Sequence, residues 1–112
     1  MTNITHEWLI NNGFKEYSRS PIDSEAIDHV YQKSYRDERG KKYFLEVKHW
    51  KLVHPITNED LSGYEVSGQF YLKGNHNAVN ISFINSDVDE AEEFIEKLFD
   101  NNMLEYYEIW QA

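Results

Sequence analysis

The sequence predicts a single α+β domain spanning residues 1–112. The expected order is α-β-β-β-β-α: a four-stranded antiparallel meander sheet with an N-terminal and a C-terminal helix packed on one face. Three observations lead there. The middle of the chain alternates with the two-residue period of a half-buried strand, as in Tyr64, Val66, Phe70 and Leu72 and in Val79, Ile81 and Phe83. Val88, Ala91, Phe94, Ile95, Leu98 and Phe99 then change to the three- and four-residue spacing of an amphipathic helix. Finally, 112 residues that are 40% hydrophobic and 15% aromatic can bury one core but not two.

The first helix is expected from about Thr5 to Asn12, with Trp8 and Leu9 on its buried side. Gly13 stands where a left-handed residue ends a helix, and Phe14 follows at the position that touches Leu9 in a Schellman motif. Lys15 to Asp28 shows no period; Ser18-Arg19-Ser20-Pro21 reads as irregular loop, with a helical turn near Ser24 to Ile27. A hairpin is expected from His29–Arg36 and Lys42–Val53 around Asp37-Glu38-Arg39-Gly40, whose glycine suits a turn. The loop from His54 to Gly63 leads to a second pair, Tyr64–Leu72 and Ala78–Ile84, joined by Lys73 to Asn77. Ser86 is expected to cap the last helix, with Asp89 in a near capping-box relation and Asp87 at the positive end of the helix dipole. Asn101-Asn102 ends it, and Met103 to Ala112 forms an aromatic tail (Tyr106, Tyr107, Trp110) that packs back on the sheet or presents an anchor.

Several function classes find no residues to carry them. With no cysteine there is no disulfide framework, thiolate nucleophile or cysteine-ligated metal, and a reducing, cytoplasmic setting is the natural fit. The start of the chain has no signal-peptide pattern and no run is long enough to span a membrane, so no membrane role is expected. His49 and His54 are five apart, and His6, His29 and His76 lie in separate elements, so neither a metal site nor any cofactor is expected. No nucleophile elbow, phosphate loop or dinucleotide fingerprint is present, and the chain reads as a non-enzyme.

Charge is the most informative feature. The net charge is −9, yet residues 86–112 carry nine acids against Lys97 alone, a net of −8. On the C-terminal helix Asp89, Glu93, Glu96 and Asp100 fall on one side and Glu92 and Glu90 flank them, making a carboxylate ridge. Like charges four apart, as in Glu92 and Glu96, oppose helix stability by about 0.2–0.5 kcal/mol per pair, so stability alone would choose mixed charges. The ridge is a solvated outer face or a surface that meets a basic partner, spaced roughly like backbone phosphates.

The first hairpin has the opposite character. Between residues 29 and 53, seven lysines and arginines face three acids, interleaved with Tyr31, Tyr35, Tyr43, Phe44 and Trp50. Such a surface can bind single-stranded nucleic acid by stacking, which is the alternative function, alongside a purely structural role.

Trp8 to Tyr17, Gly40 to Val47 and Glu90 to Leu98 together resemble small uncharacterised proteins of bacteriophages and mobile elements. The resemblance implies a bacterial host cell and a protein that binds and blocks host factors, including defence (CRISPR-like) nucleases; it transfers no site residue. The leading expectation is therefore an acidic, non-enzymatic protein-binding module, an inhibitor of a nucleic-acid-binding host protein. Asp89, Glu92, Glu93, Glu96 and Asp100 would supply charge, and Tyr107 or Trp110 an aromatic anchor. The expected partner is a basic protein surface rather than nucleic acid itself, and a homodimer is compatible with the sequence.

Overall fold

The computed structural model describes residues 4–37, 40–72, 78–83, 87–101 and 103–105. Helix α1 (His6–Asn11) precedes strands β1 (Lys15–Tyr17), β2 (Ile27–Asp37), β3 (Gly40–Trp50), β4 (Gly63–Leu72) and β5 (Ala78–Phe83). Helix α2 (Val88–Asp100) and the two-residue strand β6 (Leu104–Glu105) follow. β1 to β5 lie side by side in chain order, every neighbour antiparallel, and β6 pairs with β4.

The α+β class and the meander therefore hold, but the meander has five strands where the sequence predicts four. The added strand is β1, within the stretch read as irregular. Its three residues are all exposed, so no alternation marks them; they become a strand because β2 offers a free edge to Lys15, Glu16 and Tyr17. β6 arises the same way. β3 leaves β4 beyond the Phe44–Gln69 pair, while Tyr71 is paired with Ala78 on one side and Glu105 on the other. β6 thus fills the edge of β4 that β3 has vacated. The hairpin is longer at its turn than expected, since Asp37 pairs with Gly40 and the turn itself, 38–39, lies outside the described residues. β3 also ends earlier, at Trp50, leaving Val53 a lone bridge partner of Asp60.

Both helices are held by their caps. Thr5 Oγ1 accepts from Trp8 N at 3.0 Å. At the other end Phe14 N donates to Leu9 O at 3.0 Å and Gly13 N to Ile10 O at 3.3 Å, with Gly13 at φ 90°, which completes the predicted Schellman motif. For α2 the cap is Asp87 rather than Ser86, which lies outside the described residues: Asp87 Oδ1 accepts from Glu90 N at 2.9 Å and the carboxyl is buried. A carboxylate both bonds the orphan amide and complements the helix dipole, so it is the stronger candidate of two adjacent capping residues. Asp87→Ala is expected to cost about 1–2 kcal/mol in urea denaturation, with Asp87→Asn losing less than half of that.

Strand register places Tyr31 and Tyr35 of β2, Tyr43, Leu45 and Val47 of β3, Val66 and Phe70 of β4, and Val79, Ile81 and Phe83 of β5 on one face. Leu9 and Phe14 join this core from α1 and its cap, and Val88, Ala91 and Ile95 from α2. Packing is tight at Gly68, where a Cβ would lie 2.8 Å from Ile95 Cδ1 and 3.2 Å from both Leu45 Cδ2 and Phe83 Cε2. The opposite face carries Gln32, Glu46, Ser67, Gln69 and Asn80 and is mostly polar, with Val30 buried on it and Phe44 partly so.

Candidate functional site

The acidic ridge does not stand clear of the molecule. α2 lies so that its inner edge meets the β2–β3 hairpin, and the two oppositely charged parts of the sequence touch. Lys42 Nζ sits 3.0 and 3.3 Å from the two carboxylate oxygens of Glu96 and 5.6 Å from the centre of the Phe99 ring. Tyr43 Oη donates to Glu96 Oε1 at 3.5 Å, and the Tyr43 ring stacks on Tyr35 with centroids 4.3 Å apart. Lys33 Nζ lies over the Tyr35 ring at 4.7 Å and the Phe14 ring at 5.8 Å.

Of the predicted partner-binding residues, Glu92 and Glu96 are thus half-buried against the hairpin, while Asp89, Glu93 and Asp100 form the exposed edge. Glu93 pairs with Lys97 at 3.0 Å, both side chains largely in solvent, a contact worth little. Tyr107 and Trp110 lie outside the described residues.

Burial pushes the Glu92 carboxyl above its ordinary range; the Lys33 charge and the Tyr35 hydroxyl oppose that, and Asp89 and Glu96 add to it. A carboxyl raised by folding favours the folded chain only when protonated. Its cost is absent below the ordinary glutamate value, grows as pH climbs through that window, and is complete above the raised value. Glu92→Gln is therefore expected to stabilise the protein slightly at pH 7, the gain being held small by solvent screening of this half-exposed carboxyl. Urea denaturation should show that gain shrinking toward about pH 4.5, near the ordinary glutamate value; a gain that persists there would refute the assignment. Asp23 works in the other direction: its hydrogen bond from Lys48, at 2.9 Å, holds the carboxyl below the usual range, and the stability it lends is lost as pH falls through that lowered value.

Sheet pairing also gathers residues that the sequence scatters. His29 and His49 are direct cross-strand partners with ring centres 6.1 Å apart, and His49 packs on Tyr64 at 4.7 Å. Each imidazole is held at Nδ1 by an acid: His29 by Glu16 on β1 at 2.5 Å, His49 by Asp28 at 2.6 Å. His6 of α1 shares a 2.8 Å hydrogen bond with Tyr31 Oη. Asp28 reaches His49 because it is the extra residue of a bulge between Ile27 and His29. Burial alone would raise the Asp28 carboxyl, but the His49 hydrogen bond and the charges of His49 and His29 outweigh it and hold it below its ordinary range. This row ties α1, β1, β2, β3 and β4 together at one end of the sheet. Among the described residues no group of three or more histidines and acids is arranged to hold a metal ion.

The same end carries two loops, 18–26 and 51–62, which spring from the Ile27–Trp50–Gly63 row of the sheet. They expose Ile22 (94%), Ile56 (84%), Val53 (56%), Leu61 (49%) and Leu52 (42%), far beyond what a scattered surface residue needs. The 51–62 loop is nonetheless braced. His54 N donates to Glu59 O at 2.8 Å, Asn58 N to His54 O at 3.0 Å and Leu61 N to Leu52 O at 2.8 Å. His54 Nδ1 accepts from both Ile56 N and Thr57 N at 3.2 Å, and Asn58 takes the left-handed φ of 60° that asparagine tolerates. Glu25, Glu59 and Asp60 are exposed in the two loops and Asp28 at the start of β2. Sequence patterning passed over this end because isolated apolar residues in a loop have no period; the signal is that they are not buried.

The chain matches no family model, no curated protein and no solved structure. What the geometry defines is a class: an α+β protein with a five-stranded antiparallel meander and two helices. Among the described residues no helix is long and apolar enough to cross a membrane.

Proposed function

We propose that this chain is a non-enzymatic protein-binding module that docks through the 18–26 and 51–62 loops onto a basic surface. The observation that carries this is the exposure of Ile22, Val53, Ile56 and Leu61 on an end of the sheet where the longer loop is already locked by hydrogen bonds. Apolar anchors on a pre-ordered loop bind without a large ordering cost. The acids at this end and the net charge of −9 select a basic partner and accelerate its approach. Asp89, Glu93 and Asp100 extend that field, whereas Glu92 and Glu96 serve mainly the contact with the hairpin.

A nucleic-acid-binding protein is the partner class with such a surface, and a module docked there blocks its groove, which is the inhibitory reading. A cysteine-free chain suits the cytoplasm as its place of action. The alternative, nucleic-acid binding by the hairpin itself, is less favoured because Lys42 and Lys48 are already paired with Glu96, Asp23 and Glu46.

The test compares proteins cross-linked in host cells by the wild type, by Ile56→Asp with Val53→Asp, and by Glu93→Lys with Asp100→Lys. A partner lost with the loop pair and weakened about tenfold or less by the helix pair is the expected result, since each unfavourable 1.4 kcal/mol is a factor of ten. Retention of the partner by the loop pair, with circular dichroism unchanged, would reject the loops as the docking surface. Direct binding of single-stranded oligonucleotide at low salt, abolished by Lys42→Glu, would favour the hairpin instead.

A further inference from the structure

The two edges of the sheet are not alike. β1, at one edge, is three residues long and presents Lys15 and Glu16, the short charged form with which proteins discourage further pairing. β5, at the other, runs for six residues as Ala-Val-Asn-Ile-Ser-Phe, with no charge, no proline and no register shift against β4. Among the described residues no strand pairs with its outer side. Beside it on the helix-bearing face is Phe94, which is 45% exposed and meets the Phe83 ring edge-on at 5.5 Å. Among the described residues, α2 buries or partly buries the rest of its apolar stripe and leaves this ring uncovered next to the unpaired edge of β5.

We infer that β5 is a self-association edge, pairing antiparallel with β5 of a second copy of this chain to make one continuous sheet across a two-fold axis. The strand is self-complementary in that arrangement. For the two sheets to join with their helix-bearing faces on the same side, odd residues must meet odd and even meet even. Centring the axis on Ile81 pairs Ile81 with its own copy and Val79 with Phe83, apolar against apolar. On the polar face the same register sets Asn80 against Ser82, an amide beside a hydroxyl. Phe94 of each copy then lies beside the new seam and is covered by apolar residues from the other, which accounts for its exposure in one chain. A symmetric pairing of this kind closes at two copies, since each chain has one such edge. The net charge of −9 on each copy opposes the association, so added salt strengthens it. β5 is remote in the sheet order from the loops at the β2 and β3 ends, and the inference stands apart from the partner reading above.

Sedimentation equilibrium of the full chain tests it. The expected species is twice the 13.4 kDa chain mass, with a dissociation constant that falls as salt is raised. Ser82→Lys, at an exposed position facing away from the core, is expected to raise that constant at least about tenfold with an unchanged thermal melt. The register has its own readout, because the chain has no cysteine of its own. A mixture of Asn80→Cys and Ser82→Cys chains should form a disulfide-linked dimer faster than either variant alone. A monomer at all salt concentrations, a dimer indifferent to Ser82→Lys, or self-linking of one variant faster than the mixture would each overturn the inference.

Discussion

Replacing Ile95 by alanine is expected to remove about 2–5 kcal/mol of folding stability, the usual range for emptying a buried aliphatic site. Ile95 is fully buried, and its Cδ1 occupies the space that the missing side chain of Gly68 leaves open. The two residues are therefore one packing unit. Gly68→Ala should cost about 1–3 kcal/mol by overpacking, because its methyl would press on Ile95, Leu45 and Phe83 at once. Ile95→Val, which deletes the colliding atom, should cost about 0.5–1.5 kcal/mol alone. In the double variant the Gly68→Ala penalty should fall by at least about 0.5 kcal/mol, the scale of coupling between touching residues. Chemical denaturation of the four proteins measures that coupling, and strict additivity would show that α2 does not seat on β4 through this contact. Against a total stability of about 5–15 kcal/mol for a domain of this kind, Ile95→Ala alone removes a sizeable share.

Tyr43→Ala is the second large effect, about 3–5 kcal/mol, since Tyr43 is buried between the Tyr35 ring and Phe99 and holds Glu96. Two phenylalanine substitutions separate ring from hydroxyl. Tyr43→Phe removes the donor to Glu96 and should lose about 0.5–1.5 kcal/mol. Tyr35→Phe should be close to neutral, because Tyr35 Oη is buried with no well-formed hydrogen bond among the described residues and sits only near enough to the Glu92 carboxyl to oppose its upward shift. Burial pushes the hydroxyls of both tyrosines well above the ordinary phenol range, so both stay protonated wherever the protein is folded and no change with pH below 9 is expected from them. A loss in Tyr35→Phe as large as that in Tyr43→Phe would mean that Tyr35 donates to Glu92 in solution.

The elements with a strong local pattern were legible beforehand. α1 and its Gly13–Phe14 termination, the two long hairpins and α2 each follow from residues within a few positions of one another, because caps, turns and alternation are local chemistry. β1 and β6 were not, since Lys15–Tyr17 and Leu104–Glu105 are strands only by virtue of edges supplied by β2 and β4. The cap on α2 falls one residue later, at Asp87 rather than Ser86, since both side chains fit the local rule and the carboxylate also complements the helix dipole.

For the candidate site the division is sharper. Charge segregation along the chain is a property of the sequence alone: residues 86–112 hold almost all the excess acid and the hairpin almost all the excess base. Where those charges point is not, because a helical wheel gives the angle between Glu92 and Asp100 but not which neighbour receives them. Packing placed Glu92 and Glu96 against Lys33, Lys42 and two tyrosines, and left Asp89, Glu93 and Asp100 outward. The His29–His49 pair depends on strand register between residues 20 positions apart, and the exposed apolar end on burial itself. By itself the sequence determined the fold class, the helix and strand patterns and the overall polarity. Tertiary structure alone decided which part of that polarity is spent within the molecule and which surfaces remain for another.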